Sequence, residues 1–291
     1  MIPQANITAW RASVPWADDA QVEQDLVLSR AVIELFDDDG LANTLALRGG
    51  TALYKLFLER TYRYSEDIDL VQIEAGPIGS AIDAIRRTLD PWLGRPRRSR
   101  GPGTVTLTYR FESEIAPVRP MRLKIEINTR EHFSLLGWKS CKFAAQNPWF
   151  TGESDVRTFE IDELLATKLR ALYQRRKGRD LFDLWLCIVQ GLIDPQRVVR
   201  CFAEYMEREG HPLTRAQFEQ NLNEKAADPA FLSDLGPLLL PEIAYDASAA
   251  IAVVRQSLIE QIPGATWRGN AIQKPPRSRR RYNGSSNATE E

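Results

Sequence analysis

Asp67 and Asp69 stand two residues apart in a segment, residues 68–71 and the aspartate before it, that reads as a β-strand. Residues two apart on a strand share a face, so both carboxylates point the same way, roughly 7 Å apart along the backbone. Ile68 and Leu70 then point the other way, into a core. Two oxygen donors at that spacing suit one or two Mg²⁺ ions holding a triphosphate. Ions so placed stabilise charge on the attacking and leaving oxygens of an in-line displacement. The same D-x-D pattern also describes a strand end with two solvated aspartates.

Upstream, Gly49-Gly50-Thr51 separates a short predicted strand, residues 44–47, from a predicted helix, residues 51–60. Glycines let a backbone come close to a phosphate, and a helix start offers free N–H groups and a positive dipole end. Thr51 either caps the helix or contacts phosphate; the three residues also make an ordinary strand-to-helix turn. Arg63 and Ser65 lie just before the aspartates. Arg63 suits phosphate oxygens, and Ser65 suits either a phosphate or a brace within the loop. Glu126 sits on the polar face of a strongly alternating stretch, residues 121–128, together with Arg122, Lys124 and Asn128. It reads as a third metal ligand or general base, or as a surface glutamate paired with Lys124 or Arg122. Lys168 falls on the edge of the apolar face of a helix, residues 162–174, where a lysine either snorkels or meets an acidic or phosphorylated group. Asp180 and Asp183 are i, i+3 on the following helix; Asp180 equally suits a helix cap.

Strand, Gly-Gly-Thr, helix, short basic loop, then Asp-x-Asp on a strand is the arrangement of DNA polymerase β-like nucleotidyltransferases, which the chain resembles. RYSEDIDL, residues 63–70, is similar to the R-x-S-x-D-x-D signature of the AbiEii/AbiGii nucleotidyltransferase toxins, which include the MenT-type toxins. DELLATKLRALYQRRKGRDLFDLW, residues 162–185, is similar to that family's second hallmark: a helix with a lysine, a basic loop, then R-D-x-x-D. The resemblance covers residues 45–185. It implies a toxin of a toxin–antitoxin system, linked to abortive phage defence, that uses Mg²⁺ and moves a nucleoside monophosphate from an NTP to RNA. The implied acceptor is the tRNA 3′ end, so that aminoacylation and translation stop, and a cognate antitoxin protein is the implied partner. Asp67 and Asp69 would bind metal; Gly49, Gly50, Thr51, Arg63, Ser65 and Lys168 would hold the triphosphate or its loop; Lys168, Asp180 and Glu126 would complete the catalytic site. Transfer to a protein hydroxyl (AMPylation), a non-catalytic NTP- or RNA-binding protein, and an interaction module of a defence complex stay open as other readings of the same residues.

The elements that must position these groups are partly readable. Helical periodicity marks residues 21–36, which the acidic run Asp37-Asp38-Asp39-Gly40 should end, and residues 78–89. A Pro/Gly/Arg loop is expected over residues 91–103. Residues 104–111 and 121–128 alternate cleanly and are the clearest strands. From residue 162 onward the patterns are helical: 162–174, 179–190, 195–208, 214–225 and 244–262. The expected fold class is α/β: a polymerase β-like nucleotidyltransferase core with a mixed sheet flanked by helices, followed by an α-helical C-terminal domain. The expected division is a core over 1–155, a helical C-terminal domain over 156–267 and a disordered basic tail over 268–291.

Composition bounds the rest. The 291 residues are 43% hydrophobic and carry a net charge of -1, with no apolar run long enough for a membrane span. Three widely spaced cysteines and two histidines give neither a disulfide framework nor a zinc site. The start of the chain lacks a basic segment followed by an apolar stretch, so a cytoplasmic protein is expected. Basic residues cluster at 95–100, 170–179 and 277–281. Such patches can hold a nucleic-acid backbone even when acids elsewhere balance the total; a cleft faced by the first two would suit an RNA end.

Overall fold

The computed structural model describes residues 2–269. Of the expected tail over 268–291, residues 270–291, with the basic cluster, lie outside the described residues. A seven-stranded mixed sheet forms the centre, in the order β3-β4-β5-β2-β1-β7-β6. Its strands are β1 (Leu45–Arg48), β2 (Asp67–Gln72), β3 (Arg97–Gly101), β4 (Thr104–Glu112), β5 (Pro120–Asn128), β6 (Trp138–Asn147) and β7 (Phe150–Phe159). β2 runs antiparallel to β1 and parallel to β5, which aligns Asp67 with Lys124 and Asp69 with Glu126.

Helices α1 (Gln4–Trp10), α2 (Asp19–Asp37), α3 (Asp39–Thr44), α4 (Gly49–Leu56) and α5 (Gly79–Leu93) belong to the sheet half. α2 is mostly buried, and Asp18 caps its start by accepting from the Ala20 N–H. The acidic run ends it as expected, and Asp38 then caps α3 by accepting from the Leu41 N–H. α2 and α5 lie side by side on the apolar face of the sheet. Arg30 of α2 stacks on Trp92 of α5 at 4.3 Å and on Trp149 at 4.4 Å, and Tyr109 of β4 donates to Asp90 of α5.

The expected loop at 91–103 is corrected on two counts. α5 continues through Pro91 to Leu93. Proline inside a helix costs a hydrogen bond and a clash, but Leu93 is buried and Trp92 packs edge-on against Trp149 at 5.5 Å, so tertiary contacts hold the last turn. Residues 97–101 then form an edge strand paired to β4 through a tight connection at Gly103, whose φ of 72° suits glycine. The strands β6 and β7 were expected nowhere. They form a hairpin with one partly exposed face, so their sequences lack a full apolar repeat. β7 runs to Phe159, four residues past the expected end of the sheet region.

Beyond β7 the chain is helical, as expected: α6 (Ile161–Gln174), α7 (Gly178–Val189), α8 (Pro195–Arg208), α9 (Arg215–Ala226), α10 (Pro229–Ser233) and α11 (Ala247–Ser257). Thr214 begins α9 with a reciprocal cap to Gln217. The expected single helix over 244–262 is shorter, breaking at Leu258 before a turn of 3₁₀ helix. One continuous apolar cluster joins both halves, from Ile2 to Ile262. Among the described residues, no helix is long and apolar enough to cross a membrane.

Candidate active site

The sequence expects Gly49-Gly50 as a turn before a helix; instead both glycines are the first residues of α4. Gly49 has φ 79°, and a Cβ there would overlap the Asp69 carboxylate. At Gly50 a Cβ would sit 2.8 Å from Arg63 Nη2 and 3.0 Å from Ser65 Oγ. The backbone at the helix start therefore presses against the carboxylate strand and its preceding loop. Only glycine permits that approach. No side chain caps the start of α4, which leaves its N–H groups for a ligand or water.

Thr51 is buried and faces the protein. Its hydroxyl donates to the Asp67 carbonyl at 2.5 Å and lies 3.0 Å from Ser65 Oγ. The expectation of a cap or a phosphate contact is thus corrected: Thr51 fixes the start of β2, and Ser65 is its partner in the brace. Ser65 also lines the cleft.

Asp67 and Asp69 point to one side of β2, as expected from their spacing. Asp67 Oδ1 is buried without a hydrogen-bond partner. Burial pushes the Asp67 carboxyl up to about 6, and the neighbouring Asp69 charge adds to the shift while Lys124 opposes it. A buried carboxylate oxygen that lacks a donor is the arrangement a cation relieves. Glu126 lies beside Asp69 on β5, and its Oε2 accepts from Lys124 at 2.7 Å. Of the two readings of Glu126, the paired one describes this state. Among the described residues no group of three or more acidic, histidine or cysteine side chains forms a metal cage. Two carboxylates with an open side fit a hard cation that takes its other oxygens from substrate phosphates and water.

The opposite wall comes from α6 and α7. Lys168 is 5% exposed, and its ammonium lies 2.9 Å from Asp183 and 3.7 Å from Asp180. Asp180 lies inside the first turn of α7, with Lys177 at the cap position, so the cap alternative is corrected. Its two oxygens accept from Arg175 at 2.7 and 2.8 Å. These hydrogen bonds hold the Arg175 guanidinium above its ordinary value, although partial burial opposes the shift.

Arg63 departs furthest from expectation. It is buried, and its Nε and Nη2 both donate to Asp183 at 2.7 Å, while Nη1 donates to the Tyr64 carbonyl. Tyr54 of α4 donates to the same aspartate at 2.9 Å. The guanidinium expected on a phosphate is therefore a bolt between the loop before β2 and α7. Burial would raise Asp183, but Arg63 and Lys168 outweigh it and hold the carboxyl well below the usual range.

A cleft opens between these walls in two lobes. One, about 150 Å³, is lined by Gly50, Ser65, Asp67, Lys124 and Arg179; the other, about 250 Å³, by Gly49, Thr104, Asn128, Glu131 and Arg170. Asp69, Glu126, Lys168 and Arg175 border both. Of the eleven site residues singled out from sequence or resemblance, eight line this cleft; Asp180 and Asp183 are buried behind Lys168 and Arg175, and Thr51 braces it from behind. Glu131 was missed. It accepts from Arg170 at 2.6 Å and Arg48 at 2.9 Å, and they pull its carboxyl down to about 2 against the effect of burial. Its segment has no periodic pattern, and only its place between two arginines reveals it. The basic cluster at 170–179 is also not a uniform patch: Arg176 pairs with Asp228 and Lys177 with Asp234, away from the cleft. The arginines at 95–100 do not line the cleft.

Comparison with known proteins agrees with the geometry. Residues 31–253 match the family described as "Nucleotidyl transferase AbiEii toxin, Type IV TA system". A comparison with curated proteins yields no match. Among solved structures, the nucleotidyltransferase toxin MenT4 of Mycobacterium tuberculosis is similar with a TM-score of 0.67, 18% identity, and coverage of 90% of this chain and 91% of that one. A structure titled as a putative nucleotidyltransferase from H. pylori is similar over 81% of this chain and 92% of its own, at 18% identity and a TM-score of 0.47. The fold is that of a nucleotidyltransferase toxin, with a mixed sheet flanked by helices. With more than half its length matched to the family, and with the Gly-Gly helix start, the paired aspartates and the lysine helix meeting in one cleft, the chain belongs to the AbiEii nucleotidyltransferase toxins of toxin–antitoxin systems.

Proposed function

We propose that this enzyme moves a nucleoside monophosphate from an NTP to a hydroxyl at the 3′ end of an RNA, with tRNA as the acceptor and arrested translation as the result. Family membership implies an NTP substrate and an antitoxin partner. The tRNA acceptor, the role in phage defence and the cytoplasmic location extend the sequence resemblance. A division into a catalytic core ending near residue 155 and a helical region beyond it is part of the same reading. The observation that carries it is the pair Asp67 and Asp69, one with an unpartnered buried oxygen, set against the glycine backbone of α4.

Asp67 and Asp69 would hold Mg²⁺ together with the phosphates. When bound, the ion supplies charge neutralisation at the triphosphate. Gly49, Gly50 and Ser65 give the triphosphate a close backbone and hydroxyl surface, and Arg179, Arg175 and Lys168 present positive charge from the facing helices. Arg175 and Lys168 reach the phosphates by giving up part of their contact with Asp180 and Asp183. The acceptor hydroxyl attacks the α-phosphorus, a new P–O bond forms, and the bond to pyrophosphate breaks. The hydroxyl proton leaves to a carboxylate of the site: Glu126, beside Asp69, would accept it once Lys124 turns to the phosphates. Catalysis is then mainly positioning and electrostatics.

The test is to incubate the protein with Mg²⁺, each α-³²P-labelled NTP in turn and total cellular RNA, with Asp67→Ala as the control. A labelled tRNA-sized band that disappears in the variant is expected. Equal labelling by Asp67→Ala would sink the assignment, and label on protein alone would replace RNA by a protein hydroxyl.

A further inference from the structure

The sheet has a polar face that continues outward from the carboxylates. Residues in register on neighbouring strands point to the same side. One row across β2, β5, β4 and β3 is therefore Asp69, Glu126, Thr106 and Ser99. The next is Asp67, Lys124, Thr108 and Arg97. Beyond it, Arg122 stands opposite Arg110. The reverse side of the same strands carries Leu107, Tyr109 and Ile125, all fully buried. On the polar side Arg97, Arg110 and Arg122 are exposed, and Thr106, Thr108 and Lys124 are half-buried. Arg98 and Arg100 alternate to the other side of β3, so only Arg97 of that cluster shares a face with the catalytic carboxylates.

Away from Asp67, Asp69 and Glu126, this face carries Lys124, Arg97, Arg110 and Arg122 against Glu112 alone. Among the described residues, no carboxylate lies within salt-bridge distance of Arg97 or Arg110, and Arg122 meets Glu66 only at 3.9 Å. Glu112, opposite Pro120, is the acidic residue of the outermost row. An antiparallel sheet commonly turns one polar face to water. Beyond Glu126, arginines, a lysine and threonine hydroxyls extend this face outward from the carboxylates. Strands lie about 4.8 Å apart, so Arg97 is roughly 14 Å from Asp67, within reach of a chain whose end sits in the cleft.

We propose that the RNA acceptor lies along this β3–β4–β5 face, its phosphates held by Arg97, Arg110 and Arg122 and by the threonine hydroxyls, so that its 3′ end enters beside Glu126. The inference rests on RNA being the acceptor. Contacts of this kind fix the path of the backbone and carry no sequence information. They hold the strand while the cleft selects its end.

The test measures binding of fluorescein-labelled bulk tRNA by anisotropy at several salt concentrations, without NTP. The full chain is compared with Arg97→Glu/Arg110→Glu and with Arg97→Lys/Arg110→Lys. Each lost phosphate contact lowers the salt slope by about 0.7–0.9. The glutamate pair should lose roughly two contacts of slope and at least about tenfold in affinity at low salt. The lysine pair should keep both. Binding of a fluorescent NTP analogue, and the thermal midpoint, should be unchanged in both variants, which separates a surface effect from misfolding. Wild-type tRNA affinity and slope in the glutamate pair would overturn the proposal, as would a wild-type chain that binds no tRNA. If the wild type binds tRNA through these arginines yet labels none with any NTP, the transfer reading fails and the surface stands.

Discussion

At the scale of single residues, the candidate site is built from groups whose states a substrate would change on the proposed function. Asp67 is the clearest. Its folded value of about 6 lies above its ordinary 3.8 because burial disfavours the charge. The sign follows from linkage: stability contributed by the neutral form is fully present below about pH 4 and is lost as pH rises through 6. Asp67→Asn removes the titrating group while keeping the shape. The thermal midpoints of variant and wild type should therefore converge near pH 4 and separate near pH 8, with the variant higher and transfer activity absent. Adding Mg²⁺ and NTP at pH 8 should raise the wild type only. A pH-independent difference between the two midpoints would show that the burial of Asp67 carries no such penalty. Asp67 and Asp69 were legible because a period of two is the simplest pattern a strand offers. Arg63 was legible in position and misread in role, since a motif gives the residue and not its partner. Asp183, 120 residues away, is what turns that arginine inward.

Among elements, the decisive contact is α7 against α4 and the loop before β2. Asp183 receives Arg63, Lys168 and Tyr54 together, all buried or nearly so. Charges taken out of water this completely stand only as a satisfied set, and removing one partner leaves the others uncompensated. Asp183→Ala should therefore lower the unfolding free energy by about 3–5 kcal/mol, read as a lower urea midpoint. Thr51→Ala, which loses a hydroxyl brace but strands no charge, should cost about 1 kcal/mol. Equal effects from the two would mean that the Asp183 cluster is no more than a set of ordinary hydrogen bonds. The elements clearest in sequence included those with one wet and one dry face: β4, β5 and the helices α6, α7 and α8. β3 escaped because its residues are all exposed, and β6 and β7 because their alternation is incomplete. The last turn of α5 escaped because Trp92 and Leu93 override a proline that local propensity would place in a loop.

For the whole molecule, the cleft has one wall from the sheet and one from the helical segment, and neither alone is a site. Asp67 and Asp69 are negative and need a cation; Lys168, Arg175 and Arg179 face them and need an anion or remain on their own aspartates. On the proposed function a metal–triphosphate complex would satisfy both walls, and its binding would tie the two halves of the chain together. Ligand that binds only the folded state stabilises by about 2.7 kcal/mol at a hundred times its Kd. Because a single apolar cluster spans both halves, this gain should appear as an upward shift of one cooperative melting transition. Mg²⁺ with NTP should give the shift, and NTP with a chelator should give less. Arg179→Ala, which leaves the Asp180 and Asp183 pairs intact, should reduce the shift with NTP while leaving the unliganded midpoint in place. Two separate transitions, only one of them moved by ligand, would mean that nucleotide binds to one half alone and that the facing helices do not hold the triphosphate. A single transition moved equally in wild type and Arg179→Ala would instead confine the phosphate wall to Lys168 and Arg175, the two cations that must first leave their aspartates.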